Sequence, residues 1–344
     1  MRQAGHRTAA IEEHGGSLER ARGRFPGAPE PILDLSTGIN PHAYKFSPPA
    51  ATAWTRLPEQ GHQRQLEELA AAAYGAPSAK HVVAAPGTQM LLPLLAGLVS
   101  PGSARVLGPT YAEHARAAAL AGHKVEEVST FDSLFGADLA TVVNPNNPDG
   151  RLSFRERLLE LAADMGARGG LLVVDEAFMD VGPGAESLCG AVEAGGIVVL
   201  RSFGKFYGLA GVRLGFAVSS PDIASRLEAL LGPWAVSGPA LEIGIAALGD
   251  TAWRKEMIGL LEVDTARLDA LLAQAGIPVQ GGTSLYRYME FDDAPHFHDH
   301  CGHRGIALRD FAGRPRALRI GLPGAESDWT RLARALDEWK HATP

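Results

Sequence analysis

Between residues 80 and 220 the chain alternates short, mostly apolar runs with stretches whose apolar positions recur every three or four residues. The runs His81–Ala85, Arg105–Leu107, Lys124–Val128, Leu139–Val143, Leu171–Val174, Ile197–Leu200 and Arg213–Val218 read as strands. Thr88–Leu98, Ala112–Ala121, Phe154–Ala167 and Pro221–Leu231 read as helices between them. This alternation predicts an α/β domain with a mainly parallel, doubly wound sheet. After Gly238 the pattern turns helical, over Ala240–Leu248 and Trp253–Ala275, and ends in a compact αβ region. The first 45 residues are rich in Gly and Pro and hold at most a short helix from Ser17. The simplest arrangement is a large domain over residues 46–238. A small domain would take residues 239–344 together with residues 1–45 as an N-terminal arm.

Composition narrows the function classes. The chain has 344 residues, 46% hydrophobic and 21% charged, as in an ordinary soluble globular protein. No window approaches 18 uninterrupted apolar residues, so a membrane span is not expected. Met1–His6 lacks the apolar centre of a signal peptide. Two cysteines, Cys189 and Cys301, do not make a disulfide scaffold and suit a reducing cytoplasm. A formal charge of −7 argues against nonspecific nucleic-acid binding. Positive charge for an anionic substrate must therefore come from particular arginines and helix ends.

In open α/β sheets, ligands sit beyond the carboxyl ends of strands, and several polar groups follow expected strands directly. Residues 201–213 place Lys205 in a small-residue loop, with Ser202 before it and Arg213 eight positions on. Lys205 can form an imine, and Ser202 and Arg213 can hold a phosphate beside it. Leu171–Asp175 reads as a buried strand ending in a carboxylate, and Asn147 lies in Asn144–Gly150 after another apolar run. Gly87, Thr88 and Gln89 open a helix, where backbone N–H groups can face an anion. Tyr111 follows a strand and can stack on an aromatic ring. An imine-forming lysine, an acid for a ring nitrogen, an amide for a ring oxygen and a phosphate cradle together describe pyridoxal 5′-phosphate (PLP).

Arg309 and Arg319 each end or interrupt an apolar strand-like run, where an unpaired charge is costly, so both are candidates for binding an anion. His296, His298, His300, Cys301 and His303 lie together, but no second ligand group completes a closed metal site, and the segment reads as the end of a solvated helix. Ser202-Phe203-Gly204-Lys205 also matches the Ser-x-x-Lys of penicillin-binding enzymes. Their Ser-Asp-Asn and Lys-Thr-Gly companions do not occur here.

Taken together, Asn147, Asp175, Lys205 and Arg213 resemble, in order and spacing, the fold-type I PLP enzymes of the aspartate aminotransferase class, over about Leu33 to Leu322. The nearest branches are histidinol-phosphate aminotransferase and the L-threonine O-3-phosphate decarboxylase of cobalamin biosynthesis. Three features are similar to the decarboxylase: His14-Gly15-Gly16, the Asp34–Pro41 segment with Asn40, and Phe178 in Asp175-Glu176-Ala177-Phe178. The resemblance implies a homodimer with a large PLP-binding domain and a small α/β domain. It makes Lys205 the covalent attachment, Asp175 the pyridinium partner and Asn147 the donor to the ring 3′-oxygen. Ser202, Arg213 and the Thr88 and Gln89 amides would hold the cofactor phosphate. Substrate would meet His14, Gly15, Asn40, Asn147, Arg309 and Arg319, with Arg319 on the carboxylate and Arg309 and His14 on the phosphate. The implied reaction is decarboxylation of threonine phosphate. A histidinol-phosphate-type aminotransferase and a non-enzymatic PLP-binding regulator are the alternatives. At Arg56-Leu57-Pro58-Glu59 relatives often carry a tyrosine that reaches the partner's cofactor phosphate, a contact Leu57 cannot make.

Overall fold

A computed structural model describes residues 15–342. Seven strands form its main sheet: β1 (Val82–Ala85), β2 (Ser103–Leu107), β3 (Lys124–Val128), β4 (Leu139–Val143), β5 (Leu171–Asp175), β6 (Ile197–Ser202) and β7 (Gly215–Ser219). Their spatial order is β1-β7-β6-β5-β4-β2-β3, and only β7 runs antiparallel to its neighbours. The carboxyl ends of the other six therefore share one edge. Arg213 lies outside the expected strand: it takes a left-handed conformation (φ 55°) just before β7 begins.

The central strands β4 and β5 are almost wholly apolar because both faces are covered, whereas the edge strand β3 is polar and largely exposed. Alternate residues divide between two cores. Leu171 and Val173 of β5 face one side, under α3 (Thr88–Ala96) and α4 (Glu113–Leu120), with Leu91, Leu92, Leu95 and Ala117. Leu172 and Val174 face the other, with Leu66 and Ala70 of α2 (Gln60–Tyr74) and Leu158 and Leu161 of α5 (Arg155–Gly166). Helix α2 is not among the expected elements. Its buried stripe combines Leu66 and Tyr74 with Ala70, Ala71 and the acidic Glu67, and it stops at Gly75 in the left-handed region. α6 (Pro221–Leu231) keeps its expected bounds.

Local capping sets several starts. The Ser17 side chain accepts from Arg20 N at the start of α1 (Leu18–Arg24). Ser237 caps α7 (Gly238–Gly249) and Asp250 caps α8 (Thr251–Gln274) in the same way. α7 packs on α2, and a side chain at Gly244 would strike Leu66 and Leu214, so the large layer continues past residue 238. A second, antiparallel sheet contains β8 (Gly281–Thr283), β9 (Tyr286–Glu290), β10 (Arg309–Asp310) and β11 (Ala317–Gly321), ordered β10-β11-β9-β8. The arm joins this region through Leu33–Asp34, which pairs in parallel with Ile306–Ala307.

α9 (Ala294–His303) and α10 (Glu326–Ala342) complete the C-terminal layer. α9 is not the solvated helix its histidines suggest. Phe297, His298 and Cys301 are buried, His300 bonds to Ala335 O at 2.7 Å, and no metal-binding group of three side chains occurs among the described residues. Among the described residues, no helix is long and apolar enough to cross a membrane.

One buried carboxyl makes the core pH-sensitive. Glu67 of α2 is 6% exposed, and burial pushes its pKa up to about 7 from an ordinary 4.5. The folded state thus binds a proton that the unfolded chain has released between those values. Stability contributed by the protonated form is full below 4.5 and is lost as pH rises through 7. Glu67→Gln should raise stability by about 1–3 kcal/mol at pH 8 and change it little at pH 4. Urea unfolding at the two pH values measures this, and an equal effect at both would remove Glu67 as the cause.

Candidate active site

Where the strand ends meet β10 and β11, they enclose a cavity of about 330 Å³. Gly87, Thr88, Gln89, Tyr111, Asn147, Asp175, Ser202, Lys205, Arg213, Arg309, Arg319 and Gly15 all line it. His14 lies outside the described residues. Asn40 is not on the wall. Its Nδ2 donates to Phe206 O at 2.7 Å, its Oδ1 accepts from His42 N at 2.8 Å, and its backbone N–H bonds to Lys205 O at 2.9 Å. Asn40 is thus tied to the Lys205 segment through backbone, while the amide keeps a second N–H beyond the one given to Phe206 O.

Lys205 lies on a one-turn helix, Phe203–Phe206, and not in an open loop. Its Nζ has no hydrogen-bond or ion-pair partner among the described residues and lies 5.8 Å from the centre of the Phe178 ring. Burial first, then the Arg319 charge, pulls its pKa down to about 8, against the opposing pull of Asp175. A lysine of that pKa is partly neutral near pH 7 and so is a usable nucleophile.

Asp175 ends β5 and is 7% exposed. Its Oδ1 accepts from Ala177 N at 3.0 Å, and its Oδ2 lies 2.8 Å from His114 Nε2. Sequence reasoning missed His114. The available signal was its position three residues after Tyr111, in the first turn of the helix that follows; the two rings lie 5.9 Å apart. Tyr111 donates to Gln89 Oε1 at 3.1 Å, and Gln89 Nε2 donates to Glu113 Oε2 at 2.8 Å. The Gln89 side chain is thus occupied, which leaves its backbone amide for an anion. Burial and then Glu113 push the Tyr111 pKa up to about 12, so its hydroxyl remains a donor.

An anion cradle is built where α3 begins. Gly87 has φ 83°, and a Cβ there would come within 2.8 Å of the Arg213 guanidinium, so only glycine admits that approach. Arg213 itself holds a left-handed backbone that costs a non-glycine residue about 1–2 kcal/mol. Strain of this kind gathers at functional positions.

On the opposite wall, Arg309 of β10 and Arg319 of β11 are register partners. Like charges directly across a strand pair repel. Burial, opposed by Tyr286 and reinforced by Arg309, lowers the Arg319 pKa to about 10. The Arg319 side chain donates to Asn147 Oδ1 and, at 3.1 Å, to Ser36 O, while its buried Nε has no partner. With Asn147 Oδ1 so engaged, its Nδ2 is left for the cavity. Tyr286 packs against the Arg319 guanidinium and donates to Asn146 O at 2.7 Å, which ties the second sheet to the Asn147 loop. The arrangement offers a nucleophilic amine, a buried carboxylate, one anion cradle and a second cationic wall.

Comparison with known proteins agrees with this fold. The family model for aminotransferase class I and II matches residues 32–336. The chain is 41% identical over 327 residues to the threonine-phosphate decarboxylase of Pseudomonas aeruginosa, covering 94% of this chain and 97% of the relative. It is 43% identical over 328 residues to the threonine-phosphate decarboxylase of Sinorhizobium sp, with the same coverage of each. Among solved structures, histidinol-phosphate aminotransferase from Sinorhizobium meliloti in complex with pyridoxal-5′-phosphate superposes with a TM-score of 0.78, at 20% identity and 95% coverage of both chains.

The environment of Lys205 can be tested without any ligand. In protein stripped of bound small molecules, labelling of Lys205 by an amine-directed arylating reagent should rise with an apparent pKa of about 8 rather than 10.5. Arg319→Gln should move that midpoint upward, because it removes a cation that disfavours the ammonium. Peptide mapping across a pH series gives both values. A midpoint near 10 in the parent protein would contradict the burial argument.

Proposed function

The chain belongs to the aminotransferase class I and II family, and from that premise we propose that it decarboxylates L-threonine O-3-phosphate. The products are (R)-1-amino-2-propanol O-2-phosphate and CO2, which places the reaction in cobalamin biosynthesis. The observation that carries this reading is the register pairing of Arg309 with Arg319 on the wall of the Lys205 cavity. Two guanidinium groups so placed suit an amino acid with a second anionic group. Identity above 40% to two threonine-phosphate decarboxylases over nearly the whole chain supports the same substrate.

The residues present fit PLP as the cofactor. The bare Gly87 lets the Arg213 guanidinium sit against the start of α3, where both can face an anion, and Lys205 Nζ is unpartnered among the described residues. Arg213, Ser202 and the backbone amides of Thr88 and Gln89 would hold that phosphate. Asp175, fixed by His114, would meet the pyridine nitrogen and keep it protonated, Asn147 Nδ2 would donate to the 3′-oxygen, Tyr111 would flank the ring, and Lys205 would carry the group covalently. When bound, PLP supplies an electron sink for the pair left at Cα as CO2 departs.

The chain's own part is to orient the substrate and to move one proton. Arg309 takes the substrate phosphate, with Gly15 beside it, and Arg319 takes the carboxylate. Because Arg319 already shares two of its nitrogens with Asn147 and Ser36, its hold on the carboxylate is partial, as suits a group that must leave uncharged. Fixing both ends selects which bond at Cα breaks. Lys205 Nζ, with a pKa near 8, then supplies the proton that replaces the carboxylate on Cα.

A homodimer is part of the same reading. Trp54 and Leu57 stand exposed in and after the helix Ala51–Thr55, which packs against α7, and Trp234 is exposed in the loop leading to α7. Large apolar side chains held at the surface suit a subunit contact. The two free, buried cysteines fit a cytoplasmic location.

Purified protein should turn yellow with PLP, and borohydride should fix the adduct on Lys205 by mass spectrometry. It should release CO2 from threonine phosphate without 2-oxoglutarate. Arg309→Ala should lower kcat/KM for threonine phosphate about 30-fold or more while leaving the cofactor absorbance unchanged. Turnover that requires 2-oxoglutarate and releases no CO2 would assign the site to aminotransfer instead.

A further inference from the structure

Next to Arg309, on the same two-residue strand, stands Asp310. A carboxylate adjoining an arginine that receives a phosphate dianion is unfavourable on charge alone. Its contacts give it another task. Asp310 Oδ2 accepts from Arg24 Nη1 at 2.9 Å and from Arg20 Nη2 at 3.3 Å. These two arginines are four residues apart on α1 and so share one face of the helix. The chain that leads into α1 passes the cavity. Gly15 lines it, Gly16 N donates to Ser36 Oγ at 2.7 Å, and Ser36 Oγ donates to Asp34 Oδ1 at 2.6 Å. Gly15 lies so close to Ser36 that a Cβ would be 2.4 Å from the Ser36 carbonyl oxygen. The other end of α1 has an anchor of its own. Phe25 is 6% exposed, packs on Gly302 and sits 5.3 Å from the His303 ring, and Arg24 also bonds to Asp299 at 3.1 Å. Asp310 therefore governs chiefly the half of α1 nearest the cavity.

We propose that Asp310 is a positioning residue, which through Arg20 and Arg24 latches the N-terminal arm at Gly15 beside the substrate's phosphate subsite. The inference rests on the reading of Arg309 as the phosphate-binding arginine. The latch is made of partly exposed ion pairs, so its effect is moderate: Asp310 is 28% exposed, Arg20 36% and Arg24 41% in their side chains.

The sign of one measurement separates this role from a simple local charge. In the PLP-loaded enzyme, Asp310→Asn should raise KM for threonine phosphate about fivefold, with kcat within about twofold and the cofactor absorbance unchanged. If Asp310 acted only as a nearby negative charge, its removal would strengthen binding of the anion and lower KM. Hydrogen exchange, read without substrate, should quicken in the amides of residues 15–21 and not at Phe25. Asp310→Glu should restore part of both. A lowered or unchanged KM, or unchanged exchange in residues 15–21, overturns the latch. Failure of the parental enzyme to decarboxylate threonine phosphate, or an unaltered KM in Arg309→Ala, would instead count against the functional reading. The exchange comparison then decides the latch alone.

Discussion

Lys205, Arg213, Arg309 and Arg319 surround one cavity whose wall, among the described residues, carries a single carboxylate, Asp175. This excess of positive charge around one cavity is the constraint on which the site depends. Together with burial, the larger cause, it lowers the Lys205 pKa, and the facing pair Arg309–Arg319 puts two guanidinium groups on adjacent strands. Two of these charges are shared with polar groups of the scaffold, which offsets part of their cost. Arg319 leans on Asn147, Ser36 and the Tyr286 ring, and Arg213 Nη1 donates to Ala210 O at 3.1 Å. The remaining demand for negative charge is what an anionic cofactor and a doubly anionic substrate supply.

The reverse face of the sheet carries the counterpart of this imbalance. Asp175 and Glu176 are consecutive and project to opposite sides. Glu176 accepts from Arg201 at 3.0 Å, Ser187 Oγ at 2.6 Å and Leu188 N at 2.7 Å. Arg201 also pairs with Asp180 at 3.0 Å, which in turn pairs with Arg254 at 3.1 Å. Two positive and two negative groups are thus matched in the interior, and Arg201 lies 4.4 Å from the Tyr74 ring. Because Glu176 follows Asp175 and Arg201 precedes Ser202, this network joins the ends of β5 and β6, which present the carboxylate and the lysine. A buried network of this kind contributes little net stability over apolar packing, but breaking it leaves an uncompensated charge. Its consequence here is positional.

Much of the site was legible in the chain because its polar groups follow apolar strands directly. β3 and β4 and the helix Pro221–Leu231 have the expected bounds, since each is an uninterrupted pattern closed by turn residues or by proline at the helix start. Lys205, Asp175, Asn147 and Arg213 could be assembled from order and spacing alone. α2 was missed because its buried stripe mixes Leu66 and Tyr74 with two alanines and the carboxyl of Glu67, which gives a weak apolar contrast. The backbone contacts of Asn40 to the Lys205 segment were not legible, because a polar residue in a motif looks the same whether it faces ligand or backbone.

Local sequence determined which segments become strands and helices, since periodicity and capping act within a few residues. It also determined the chemical types available at the strand ends. What only the tertiary structure decided were the pairings between residues far apart in the chain. His114 meets Asp175 across 61 positions, Arg319 meets Asn147 across 172, and Asp310 meets Arg24 across 286. Such pairs depend on sheet order and register, which are set by burying both faces of the sheet at once. No periodicity in a single segment encodes them, and they alone turn a set of suitable residues into one cavity.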